Sequence, residues 1–137
     1  MSPERVENIL IRSPLIAQAF VYGDSFQSCL VAIIVPDEER VLAWAQTKDN
    51  TQLSFADLCK MDTLREDLMA DIARLSKENG LHGFETVKAV YVEPNQFTPE
   101  NDLLTPSFKL KRHTARDYYE KEIADMYASL SPPKSKL

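Results

Sequence analysis

Glycine is scarce in this chain. Gly23, Gly80 and Gly83 are the only three in 137 residues, and none belongs to a Gly-rich Ser/Thr loop able to wrap a triphosphate. Cysteine is almost as rare. Cys29 and Cys59 set neither a disulfide framework nor a metal-ligand spacing, and each reads as a small buried hydrophobe. The two histidines, His82 and His113, stand alone, which argues against a zinc centre or a catalytic His–Cys pair, so no metal ligands are expected. No apolar run approaches the ~20 residues that span a bilayer. The N-terminus has neither the basic start nor the apolar core of a signal peptide. A net charge of −5 argues against a general nucleic-acid binder, which carries a basic excess.

What remains is an ordinary globular composition, 44% apolar and 27% charged, long enough for one domain with its own core. Ser2-Pro3-Glu4 reads as a helix start, with Val6, Ile9 and Leu10 at helical spacing up to about Arg12, and Ser13-Pro14 as its end. Leu15–Tyr22 and Ser28–Val35 have strand character, and Gly23-Asp24-Ser25 between them predicts a hairpin. The second run is almost wholly apolar and implies a strand covered on both faces. Helices follow from Asp37, around Ser54–Cys59, and over Thr63–Asn79, with the polar loop Lys48–Gln52 before the second. Leu64, Leu68, Ile72 and Leu75 form the stripe of the third helix, and Asn79-Gly80 its cap. Met61 and Met69 read as core filler. Val87–Val92 is a third strand. The last helix is expected over Thr114–Leu130, with Tyr119, Ile123, Met126 and Leu130 on one face. The expected class is α+β: a small, mainly antiparallel sheet of a hairpin plus a third strand, flanked by helices.

The most informative stretch is Asn101–Arg112, reading Asn-Asp-Leu-Leu-Thr-Pro-Ser-Phe-Lys-Leu-Lys-Arg. Its Thr-Pro-Ser turn delivers Lys109, and Lys111, Arg112, His113 and Arg116 follow before any acid. Such a loop offers a cation to a phosphate or a carboxylate. Lysine suits this because its ammonium is a compact charge on a flexible stem. The alternative reading of the same run is a solvated basic loop ahead of a helix.

The stretch resembles the last signature of the adenylate-forming enzymes, in the form seen in long-chain fatty-acid–CoA ligases. In most of that superfamily a Gly precedes the lysine; here Phe108 stands there, as bulky residues do in the long-chain class. Ser2–Asn8, Asp37-Glu38, Gly80-Leu81 through Glu85, and Phe97–Leu104 are also similar to the long-chain ligases, so the likeness covers Pro3–Leu130. It implies the mobile C-terminal domain of a ligase that joins fatty acid and ATP into acyl-AMP and pyrophosphate, then passes the acyl group to CoA. Lys109 then assists adenylate formation, and the domain rotates for the thioester step. Lys111 and Arg112 are weaker candidates for phosphate or CoA contact. ATP, Mg2+ and CoA are implied for the whole enzyme, held mostly by an N-terminal adenylation domain in cis. The hinge residue is expected before Met1, and the 137 residues alone are expected to fold without turnover.

The chain ends Ser135-Lys136-Leu137, the tripeptide read by the peroxisomal import receptor. Residues 1–130 are thus expected to form the lid domain, and 131–137 a flexible targeting tail. Two other readings stay open: a stand-alone peroxisomal interaction module with a basic anion-binding loop, and an adenylate-forming ligase for another carboxylic acid.

Overall fold

The computed structural model describes residues 3–23, 29–48, 52–81 and 85–130. Helix α1 (Pro3–Leu10) leads into strands β1 (Ile16–Gly23) and β2 (Leu30–Pro36). Helices α2 (Glu38–Thr47), α3 (Phe55–Cys59) and α4 (Asp62–Glu78) carry the chain to β3 (Val87–Val92), and α5 (Arg112–Tyr118) and α6 (Glu120–Leu130) end it. The expected Ser2 cap, the turn at Asp24-Ser25, residues 49–51 of the polar loop, His82, Gly83 and the 131–137 tail lie outside the described residues.

The sheet order is β1-β2-β3, with β2 central. Every residue of β2 is buried, as its apolar run requires. Its alternation sorts the two faces: Leu30, Ala32 and Ile34 join the core under α1–α4, whereas Val31, Ile33 and Val35 join the core under α5, α6 and the 97–104 connection. β1 pairs antiparallel with β2 as the expected hairpin, and β3 pairs parallel. The sheet is therefore mixed. A helical crossover between β2 and β3 returns the chain to the end from which β2 began, which a parallel neighbour requires.

Local chemistry sets the helix ends. Asp37 accepts the Arg40 amide at 3.0 Å and Ser54 accepts that of Asp57 at 3.2 Å, both as N-caps. After α4, Gly80 takes φ 74°, and the Leu81 amide reaches back to the Ser76 carbonyl at 2.9 Å, the left-handed closure that glycine favours. The Leu64, Leu68, Ile72 and Leu75 stripe is buried throughout.

Three expectations need correction. The last helix is two: α5 and α6 meet at Tyr119, at φ −105°, although amide bonds on both sides still run through it (Tyr119 to Ala115, Ile123 to Tyr119, each 2.9 Å). The break is thus a kink at a side chain buried to 2% exposure. Leu130 lies 37% exposed beyond the core face. Cys59 is buried, whereas Cys29 is only partly so. Burial pushes the Cys59 thiol up to about 11, so it remains a protonated packing group.

Candidate functional site

The site is built from the connection between β3 and α5. Glu93, at the end of β3, is buried; its carboxylate accepts the Tyr119 hydroxyl at 2.8 Å and the Asn95 backbone amide at 3.0 Å. Two residues on, the Gln18 side chain of β1 clasps Phe97 on both sides. Its amide nitrogen donates to the Phe97 carbonyl at 3.1 Å, and its oxygen accepts the Phe97 amide at 2.8 Å. A glutamine side chain thus satisfies both backbone groups of Phe97 and pins the connection to β1. Asn101 then folds the chain over: its oxygen accepts the Thr98 and Leu103 amides (3.0 and 3.2 Å) and its nitrogen donates to the Gln96 carbonyl at 2.9 Å.

From this base rises a small hairpin. Leu104 and Leu110 form an antiparallel bridge, and the Lys111 amide bonds the Leu103 carbonyl at 2.9 Å. At the tip the Thr105 amide donates to the Lys109 carbonyl at 2.7 Å, and the Phe108 amide to the Thr105 carbonyl at 2.8 Å. The Thr105 hydroxyl accepts the Lys109 amide at 3.0 Å. Pro106, Ser107 and Phe108 are therefore a three-residue loop whose last member is left-handed, φ 66°. That position ordinarily calls for glycine. A phenylalanine there costs on the order of 1–2 kcal/mol, and its ring is left 71% exposed. An open groove of about 440 Å³, lined by Ile11, Gln18, Phe97, Pro99 and Leu110 among others, runs beside it.

The cations of the loop divide sharply. Lys109 is exposed, and its ammonium has no ion-pair or hydrogen-bond partner among the described residues. Lys111 pairs with Asp102, itself left-handed at φ 68°. Arg112 pairs with Glu7 at 2.5 Å. Arg116 lies beside Asp117 at 3.5 Å, and His113 is exposed on α5. The backbone holds Lys109 from both sides while its side chain is free, and its two basic neighbours are engaged, Lys111 by an exposed acid and Arg112 by a buried one. The site can thus present one positive charge from a fixed platform. Glu7, Asn101, the Thr105 hydroxyl and the Tyr119–Glu93 bond carry this arrangement, and no sequence signal singles them out except the Asn and Thr preference for turns.

Among the described residues no three His, Cys, Asp or Glu side chains converge on a metal position, and no helix is long and apolar enough to cross a membrane.

Comparison with known proteins gives a consistent picture. The family described as AMP-binding enzyme C-terminal domain matches residues 5–78. Long-chain-fatty-acid–CoA ligase 6 of Homo sapiens is 44% identical over 128 residues, 93% of this chain and 18% of that protein. The peroxisomal long chain acyl-CoA synthetase 7 of Arabidopsis thaliana is 39% identical over 140 residues, covering 100% of this chain and 20% of that protein. The chain thus spans about a fifth of the length of the curated relatives it matches. Among solved structures, the A-PCP didomain of carboxylic acid reductase from Segniliparus rugosus in complex with AMP superposes with a TM-score of 0.78 at 27% identity, covering 95% of this chain and 16% of that one.

Proposed function

Since the chain belongs to the AMP-binding enzyme C-terminal domain family, we propose that it is the lid of an ATP-dependent long-chain fatty-acid–CoA ligase and supplies Lys109 to adenylate formation. The observation that carries this is the free Lys109 ammonium at the tip of a hairpin whose every other cation is engaged. In the first half-reaction a fatty-acid carboxylate oxygen attacks the α-phosphorus of ATP, and pyrophosphate leaves. Both reactants are anions, so their approach is opposed by charge. An ammonium between them offsets that repulsion and the charge that builds in the transition state. In the second half-reaction the sulfur of CoA attacks the acyl carbonyl and AMP leaves, with Lys109 turned away as the domain rotates. The adenine pocket, the acyl tunnel and the ligands for Mg2+ are assigned to an N-terminal adenylation domain in cis.

The identity to long-chain ligases supports the fatty-acid assignment, and the likeness to a carboxylic acid reductase supports a ligase for another carboxylic acid as the second reading. The test joins this chain to its adenylation domain and measures acyl-AMP and acyl-CoA with a panel from short-chain and aromatic to long-chain acids. Long-chain acids should give the highest kcat/KM; preference for an aromatic or short acid would reject the first reading in favour of the second. Residues 1–130 without that partner should form no acyl-AMP.

Residues 131–137 are assigned to targeting. The terminal Ser135-Lys136-Leu137 fits the peroxisomal receptor, and the likeness to a peroxisomal synthetase supports that address. Deleting the three residues should move a fluorescently tagged protein from peroxisomes to the cytosol with activity intact; unchanged peroxisomal location would overturn the assignment.

A further inference from the structure

We infer that Glu7 is a positioning residue for Lys109: its carboxylate bolts the chain that leaves the Lys109 hairpin to α1 and β1. The hairpin's own polar ties are local. Its backbone is closed by the Thr105–Lys109 bonds at the tip and by the Leu104–Leu110 bridge and the Lys111 amide bond to Leu103 below. Its base is seated by Leu103 and Leu104 in the core under α5 and α6. The exposed Lys111–Asp102 pair is of a kind that contributes little in water. No hydrogen bond or ion pair in that set ties the hairpin to α1.

Arg112 does so. It stands three residues after Lys109, at the first position of α5, and donates to Glu7 Oε1 at 2.5 Å across 105 residues of sequence. Glu7 lies on α1 with 9% exposure. Its second oxygen, Oε2, accepts the Val21 amide of β1 at 2.7 Å, on a strand at the edge of the sheet. One carboxylate therefore joins three elements: the entry helix, the edge strand and the helix that follows the hairpin. Burying a carboxylate is costly unless both oxygens are used, and here both are. Burial pushes the Glu7 carboxyl above its ordinary range, against the pull of Arg112 and the Val21 amide, so the pair is kept at a cost. A rigid link has a use if the ammonium must arrive at a defined place, because a misplacement of about 1 Å can cost 10²-fold in rate.

The catalytic consequence rests on the function proposed above; the link itself does not, and the experiment separates them. In Glu7→Gln one oxygen still accepts the Val21 amide, but the amide nitrogen faces Arg112 and cannot accept from it. Hydrogen exchange followed by NMR on the 137-residue chain should show the Lys109 and Lys111 amides exchanging at least tenfold faster, with α4 amides unchanged. Arg112→Lys with Glu7 intact, which keeps a cation near the carboxylate, should retain most of the wild-type protection. In the chain joined to its adenylation domain, Glu7→Gln should lower kcat for acyl-AMP formation about tenfold, leaving KM for ATP and the thioester half-reaction near wild type. Exchange within twofold of wild type at both amides, or an equal rise in α4, overturns the inference. So does an unaltered kcat in Glu7→Gln when Lys109→Ala is impaired. If Lys109→Ala has no effect, the functional reading fails and the exchange data still decide the link. Should Glu7→Gln not fold, Arg112→Gln, cut from the more exposed end, carries the same expectation.

Discussion

Lys109→Ala should lower acyl-AMP formation by roughly 10²–10³-fold, the usual loss when one preorganised donor is removed from a developing charge. Thioester formation from supplied acyl-AMP should change far less, because on the function proposed above the same ammonium takes part only in the first half-reaction. The structure makes this a clean substitution. The side chain is exposed and touches no partner among the described residues, so truncation leaves no buried polar group behind. The bonds that define the hairpin tip are made by the backbone of Lys109 and by Thr105, and alanine retains them. Stability should stay within about 0.5 kcal/mol of wild type, as for a surface change away from caps and cores. The measurement is single-turnover formation of radiolabelled acyl-AMP beside a thioester assay started from the adenylate. Equal loss in both half-reactions would make Lys109 a structural residue or one serving both poses.

The exposed place of Lys109 on a turn was legible because its signal is local: a turn triplet, then a lysine, then a basic run. The sheet was legible for a related reason. An apolar run such as Leu30–Pro36 can be satisfied only by cover on both faces, and each face does meet its own layer of helices. What sequence could not supply was long-range pairing. Glu7 carries no local mark within its short helix, yet it is buried and bonded to a partner 105 residues away. Lys111 and Arg112 look as available as Lys109 in one dimension, and only the fold shows their acids, Asp102 and Glu7. Phe108 is instructive in another way. The hairpin loop requires a left-handed residue at this point, which explains why glycine is common there in the superfamily the chain resembles. The phenylalanine is a local conflict between residue and backbone, the kind of inconsistency that concentrates at functional sites.

The kink at Tyr119 was illegible for the same reason as Glu7, and it underlies the largest expected effect on stability. Tyr119 is 2% exposed and packs among Phe20, Val31, Ile33 and Phe97 in the core beneath α5 and α6. Its ring meets Phe97 edge-on, with centroids 6.2 Å apart, and its hydroxyl caps the buried Glu93 at 2.8 Å. Tyr119→Ala should destabilise the chain by about 3–5 kcal/mol, as other buried aromatic truncations do. Tyr119→Phe keeps the ring and removes one donor from a buried carboxylate that retains Asn95, a loss of about 1–3 kcal/mol. Urea unfolding followed by circular dichroism measures both, and a smaller loss for alanine than for phenylalanine would contradict this account. The two contributions also separate by pH. Burial, reinforced by the bond to Glu93, raises the Tyr119 phenol well above its ordinary range, so the folded chain holds this proton where the unfolded chain releases it, near pH 10. The hydroxyl's contribution is therefore complete below about pH 10 and falls as pH rises past it. Tyr119→Phe should flatten that part of the alkaline decline in stability, narrowing its gap to wild type at high pH, whereas Tyr119→Ala should keep most of its deficit because its ring contacts do not titrate.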